Sequence, residues 1–452
     1  MNRSEKLGHG SHRAMKHLVL RNTVGAFVIR GLAAVAVLGM NVVLARALSL
    51  PDYGVVALGL AWLTVAGAIA CFGTDKVTLR FVAEGLAKSD TIQVSHIIRW
   101  GGKLTIAAGI LTALISIAAL TLLFSQYTAA QRLALGLVVA ATPLLAFTLN
   151  RVGALRGAKR VILAATVEML LRPLAVLIIA FGLLLAIGSP IGVVSAALIV
   201  LLAQAIPATL GLLRSRDLVT DLVPIEQTSK REWMRVATPI AVMNIMGVLI
   251  SNTDTIAVGY FLDAGSAGIY RASAQLANLV AFGLIASNGI VAPLIAELYS
   301  SDRIEQLRRM LRFSVALVSL GSVICIAAMA VFGKTMLGFF GPEYQAGYQA
   351  LLILLIGQTV NALCGPTGFM MSMTGHQNQA MRMFAVSTAI NITLNLVLIP
   401  RFGLIGGAIA NVTGVSCWNF AILLYLRLKL KLDPSIFSWL NNSQTNIEIE
   451  HK

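Results

Sequence analysis

Apolar runs long enough to cross a bilayer recur along nearly the whole chain of 452 residues. They fall at roughly 23–47, 53–73, 98–125, 131–155, 161–187 and 190–213. After a polar stretch they resume at roughly 236–262, 267–296, 310–333, 346–373, 380–400 and 403–427. A hydrocarbon core about 30 Å thick takes about 20 helical residues. Lipid offers the backbone no hydrogen-bond partners, so such runs must be helices. The pattern predicts an all-α, polytopic membrane protein of about twelve transmembrane helices. Its expected parts are a basic tail (1–22), a first six-helix lobe (23–213), a linker (214–235), a second lobe (236–428) and a C-terminal tail (429–452).

Composition agrees: 57% of residues are hydrophobic and 12% charged, with a mean hydropathy of +0.82. A soluble domain carries about twice that share of charge. The formal charge of +16 would suggest nucleic acid in a soluble protein, but the cations sit in short loops between apolar runs. They report topology instead. If the N-terminus is cytoplasmic, the inner segments hold 28 of the 35 Lys and Arg, and the outer loops hold four: Arg46, Arg132, Lys334 and Arg401. That bias predicts cytoplasmic N- and C-termini. The basic segment Met1–Asn22 leads into an apolar run with no small-residue cleavage site, so a retained first helix is expected there. The four cysteines lie within or beside apolar runs without a CxxC pair, as packing residues do.

The two halves read as parallel copies. Leu50-Pro51-Asp52-Tyr53-Gly54 closes the first helix of one half, and Leu262-Asp263 followed by Gly268-Ile269-Tyr270 does so in the other. Ala83-Glu84 and Ser89-Asp90 match Ala296-Glu297 and Ser301-Asp302, each followed by a basic stretch, at a spacing of about 213 residues. Six helices per copy is an even number, so the copies share one orientation and leave room for a cavity between lobes. The segment from Thr74 to Trp100 carries Val77, Phe81, Val82, Leu86, Ile92 and Ile97 among charges. An interfacial amphipathic helix and a solvated loop both fit it.

Charges inside apolar helices cost roughly 2.5–3.5 kcal/mol each on insertion scales, so they usually face a cavity or a partner. Arg30 lies nine residues after Arg21, and Asn41 follows three turns later on the same face. Arg30 suits either a cavity-facing grip on an anionic head group or snorkelling to the headgroups. Glu168 and Arg172 are four apart, as a self-neutralising pair would be, and Arg172 is equally placed to meet a substrate. Asp254 shares a polar stripe with Asn244, Ser251 and Thr255. Arg271 is its nearest candidate for a salt bridge, and a coupling cation or proton is the other option. Gln275, Asn278, Asn288, Gln358, Asn361, Asn391 and Asn395 concentrate in the second half. Such amides act as interhelical glue or as a hydrated, sugar-tolerant lining.

Three stretches carry a family resemblance. Leu44-Ala45-Arg46 precedes Leu50 and Asp52-Tyr53-Gly54. Asp254-Thr255-Ile256-Ala257-Val258-Gly259 leads to Leu262 and Gly268-Ile269-Tyr270. Asn395-Leu396 runs to Pro400, then Gly403-Leu404-Ile405-Gly406-Gly407-Ala408-Ile409-Ala410. In this order, from about Arg21 to Leu430, the chain resembles the polysaccharide biosynthesis (O-antigen flippase) family, relatives of the multidrug and toxin extruders. The resemblance implies a two-lobed transporter in the bacterial inner membrane. Its implied cargo is a polyisoprenyl-diphosphate-linked oligosaccharide unit, destined for O-antigen, capsule or exopolysaccharide. Membrane lipids, a polysaccharide polymerase and chain-length machinery are the implied partners; no nucleic acid and no cofactor is expected, and H+ or Na+ remains open as a coupling ion. Arg30, Asn41, Arg172, Asn244 and Arg271 are the candidate substrate contacts, with Asp254 and Glu168 coupling or stabilising a lobe. A multidrug or organic-cation antiporter would share the fold, but three buried arginines against two acids argue for an anion. An enzyme joining sugars would need catalytic carboxylates in a sizeable loop, and the outer loops are short. A peptidoglycan-precursor flippase would usually bring more cavity charges and more helices. A Gly-rich phosphate loop is absent.

Overall fold

The computed structural model describes residues 25, 27–187, 191–219 and 227–439. The basic tail 1–22, part of the linker and residues 440–452 therefore lie outside the described residues. Along the first half, helix α1 spans Phe27–Ala47, α2 Leu50–Cys71, α3 Thr74–Ala87 and α4 Thr91–Leu123. Then come α5 (Ala129–Val139), α6 (Thr142–Gly157), α7 (Val161–Ala165), a π-helical turn (Thr166–Leu170), α8 (Leu171–Ile187) and α9 (Val193–Ser215). The second half has α10 (Gln227–Phe261), α11 (Ala264–Ser300), α12 (Ile304–Gly338), α13 (Tyr348–Cys364), α14 (Thr367–Met373) and α15 (Gln377–Lys429).

Ten segments of the described chain are long and apolar enough to cross a membrane. The last, α15, is two spans merged across a kink at Gly403, whose φ of 58° and ψ of −134° only glycine adopts freely. With α11, 37 residues long, this makes the twelve that the apolar pattern predicts. Large apolar side chains such as Val35, Leu122 and Phe313 point outward around the bundle, where a water-soluble protein would place polar ones.

The repeat is visible in backbone detail. Ser49 caps α2 through the Asp52 N–H (3.3 Å), and Asp263 caps α11 through the Ser266 N–H (2.7 Å). Ser89 and Asp302, 213 positions apart, both turn with positive φ (57° and 54°) before the next long helix. Tyr53 donates to Asn41 Oδ1 (3.1 Å) in one lobe, and Tyr270 to Asp254 Oδ2 (2.5 Å) in the other. Asn41 and Asp254 are also 213 positions apart.

Two elements depart from expectation. The Thr74–Trp100 segment is helical, but Val77, Phe81 and Val82 turn inward onto Ile97, Ile98 and Trp233, not toward lipid. Burial against the protein takes up most of the apolar face that an interfacial helix would leave in the bilayer, and of the residues named only Leu86 and Ile92 stay exposed. The expected tenth helix at 346–373 is broken. Gly365 takes φ 73°, Pro366 cannot continue the α13 hydrogen bonds, and α14 starts in a new direction.

Candidate functional site: a cavity open on the basic side

The side of the bundle carrying α3, the α11–α12 turn and the end of α15 holds most of the lysines and arginines. On the far side the lobes are sealed. Gly54 of α2 lies so close to α11 that a Cβ there would stand 1.6 Å from the Ala264 carbonyl oxygen, and Gly268 returns the contact with Gly54. Tyr53 meets Tyr344 edge to face at 5.6 Å, and Tyr127 donates to the Gly259 carbonyl (2.8 Å). Arg46 donates from Nε and Nη2 to the Phe339 and Gly338 carbonyls (2.9 Å each). Those carbonyls end α12, where the helix dipole is negative and favours a cation.

On the basic side the seam opens. A cavity of about 1050 Å³ is lined by Lys76 and Arg80 of α3, Arg235, Asn244 and Val248 of α10, and Phe369, Ser372, Gln377 and Asn378 of the second lobe. A deeper pocket of about 250 Å³ shares Lys76, Asn244 and Val248 with it. Its wall adds Thr64, Asp75, Thr148, Glu168, Arg172 and Gln204. Asp75 pairs with Lys76 (3.1 Å) and Glu168 with Arg156, so both carboxylates are already matched. What the cavity offers a solute beyond those pairs is cationic: Arg80, Arg172 and Arg235. A third, apolar space of about 510 Å³ opens between Phe27 of α1 and the α11–α12 face, lined by Leu279, Val280, Phe313 and Leu317.

Sequence-derived candidates fall in different places. Arg172 and Asn244 line the cavity. Arg30 is half-buried on α1, one turn beyond Phe27. Asn41 is buried and engaged by Tyr53 and by the Val37 carbonyl (2.7 Å). Arg271, on α11 of the other lobe, is half-buried and does not line either of the two polar-walled spaces.

Two expected pairings are corrected. Glu168 binds Arg156, twelve residues before it, and not Arg172. The π turn at Thr166–Leu170 widens the helix, so residues four apart no longer stack. Pro173 lacks an N–H and crowds the carbonyl one turn earlier, which suits such a turn. Asp254 forms no ion pair with Arg271. Its Oδ2 accepts from Tyr270 and from Asn411 (2.9 Å). Tyr270 and Arg271 are adjacent on one helix, so they project about 100° apart, and the tyrosine takes the inward position.

Most second-half amides bind other helices or their own backbone. Gln358 donates to Asn278 (3.2 Å), Asn419 to Asn361 (3.3 Å) and Asn391 to the Ala410 carbonyl (3.0 Å). The side chain of Asn288 lies outside the described residues. Sequence reading missed Lys76, Arg80 and Arg235 as cavity residues, treating them only as topology markers. It also missed Phe369, although Gly365-Pro366 is a breaker signal that points to it.

A two-lobed helical bundle, sealed on one face and holding a cationic cavity open on the other, has the architecture on which alternating-access transporters are built. The polysaccharide biosynthesis protein family model matches residues 19–299, more than half of the chain, and the chain belongs to that family. A MatE model matches residues 239–397. The probable flippase AglR of Haloferax volcanii is 25% identical over 176 residues, 38% of this chain and 37% of that protein. The probable low-salt glycan biosynthesis flippase Agl15 of the same organism is 24% identical over 204 residues, 44% and 43% of the two chains. The chain thus matches only about two-fifths of these relatives' length. In shape it is similar to an inward-facing multidrug resistance MATE family transporter of the MOP superfamily (TM-score 0.75, 15% identity, 90% of this chain and 98% of that one). To an outward-facing transporter of that description the TM-score is 0.63, at 15% identity and with 92% and 95% covered. The fold is therefore that of these MATE family transporters, with the higher similarity to the inward-facing structure of the two.

Proposed function

We propose that this protein flips a polyisoprenyl-diphosphate-linked oligosaccharide across the bacterial inner membrane by alternating access, supplying surface polysaccharide assembly. The observation that carries this reading is the cavity's charge. Its carboxylates are matched, while Arg80, Arg172 and Arg235 face the space, as an anionic diphosphate requires. An organic cation would meet repulsion there. By the lysine and arginine bias the open side is cytoplasmic, where lipid-linked units are loaded. Two relatives named as flippases support the class of cargo. In this reading Arg172 and Asn244 contact the head group, Arg271 approaches from the other lobe, and Arg30 stands beside the apolar seam at Phe27 through which the tail leaves. Asn41, Glu168 and Asp254 hold their lobes through Tyr53, Arg156 and Tyr270.

The test is Arg172→Ala in proteoliposomes carrying a fluorescent lipid-linked oligosaccharide. Translocation should fall at least tenfold at unchanged protein level, with Arg172→Lys recovering part of it, because a lysine keeps the charge and loses the fork. Normal flipping by Arg172→Ala and by Arg30→Ala, or export of an organic cation by the wild type, would overturn the assignment.

A further inference from the structure

The large cavity has two unlike walls. Lys76 and Arg80 stand on the first lobe, with Arg235 at the head of α10. The opposite wall, from α14 and the start of α15, presents Phe369, Ser372, Met373, Gln377, Asn378 and Phe384 and carries no charge. Phe369 is 43% exposed, and it faces this cavity instead of the core. Phe384 is braced from behind by Trp418, the rings stacked at 4.7 Å and 21°. Gln377 and Asn378 are both exposed beside these rings.

The broken helix makes this wall. A continuous helix through 373 would carry α13's direction onward, but Gly365 and Pro366 redirect the chain and turn α14 toward the cavity. Interrupted helices are a recurrent way to line a substrate site at membrane depth, because only there is irregular backbone tolerated. An aromatic face exposed in a cavity with polar groups beside it marks a ligand surface. Amides alongside supply both donors and acceptors. A pyranose ring has the complementary build, with an apolar C–H face and a rim of hydroxyls.

We infer that the α14–α15 wall is a subsite for an uncharged sugar ring, stacked on Phe369 with its hydroxyls taken by Gln377 and Asn378. The subsite rests on the flippase reading above and adds to it: the diphosphate lies toward Arg80 and Arg172, and the sugar toward α14.

Binding to the purified full-length protein is measured with three probes. These are a polyprenyl diphosphate bearing chitobiose, one bearing lactose, and the bare polyprenyl diphosphate. At least one sugar should tighten binding over the bare lipid. Phe369→Ala should erase that gain, about tenfold, and leave bare-lipid affinity unchanged, while Phe369→Trp keeps the gain. Melting temperatures of both variants establish that they are folded. If no probe binds, the flippase reading falls and the subsite with it. If the bare lipid binds but neither sugar adds affinity, or Phe369→Ala leaves the gain intact, the sugar subsite alone is overturned. Equal loss of all three probes in Phe369→Ala would mark a packing residue and also overturn it.

Discussion

Gly54 offers a way to move the equilibrium between open and sealed states with one methyl group. In the sealed far-side seam, an alanine Cβ at this position would sit 1.6 Å from the Ala264 carbonyl oxygen and 2.4 Å from its carbon. Ordinary contact begins near 3.4 Å, so α2 and α11 must part by roughly 1.8 Å. The obstacle is backbone, which cannot rotate aside as a side chain can. Overpacking of this kind costs about 1–3 kcal/mol, and here the cost falls only on the conformer whose seam is closed. A shift of that size changes a two-state ratio by about 5–150-fold. Gly54→Ala should therefore populate the form open on the far side. Pulsed electron paramagnetic resonance can read this, with nitroxides at Ala130→Cys and Glu343→Cys, both exposed on that side. The four native cysteines are free and would be replaced first. Distances should lengthen in Gly54→Ala and, less strongly, in Gly268→Ala, whose Cβ would meet Tyr53 and Gly54 at 3.1–3.3 Å. An unchanged distance distribution in a folded Gly54→Ala protein would refute the steric account.

Other variants probe other contacts. Arg46→Ala removes two hydrogen bonds to the end of α12 and should favour the far-open form by about 1 kcal/mol on the same spin labels; Arg46→Lys recovers part at best, because an ammonium cannot fork. Glu168→Gln leaves Arg156 without its carboxylate and should lower the melting free energy by about 1–2 kcal/mol, with the exchange Arg156→Glu/Glu168→Arg restoring most of it in a melting assay. Gly403→Ala forces a side chain into φ 58°, ψ −134° and should cost about 1–3 kcal/mol, seen as a lower melting temperature.

Periodic features were legible in the sequence because hydrophobic runs report burial in lipid directly, and so were the repeat landmarks. Twelve helices and the matched turns followed from them. Side-chain partners were not, since they depend on rotation about each helix. Glu168 and Arg172 have ideal spacing for a pair, yet a π turn, invisible in composition, rotates one away from the other. Asp254 has a cation seventeen residues off and a tyrosine sixteen off, but the choice between Tyr270 and Arg271 is made by which neighbour points inward. The cavity's cationic wall was hidden for another reason. Lys76 and Arg80 serve topology and the cavity together, and sequence shows only the first role.

An internal repeat holds two versions of each device, and a single exchange can make them unequal. Tyr53 leans on an amide and Tyr270 on a carboxylate, at matching places in the two lobes. An amide keeps its charge state at every physiological pH, and a carboxylic acid need not. Any sensitivity to acidity arising at this paired device thus belongs to the second lobe, and the first is blind to it. Exchanging Asn41 and Asp254 would preserve the atom count while transferring the ionisable member to the other half, turning a likeness between lobes into a controlled inversion of their roles.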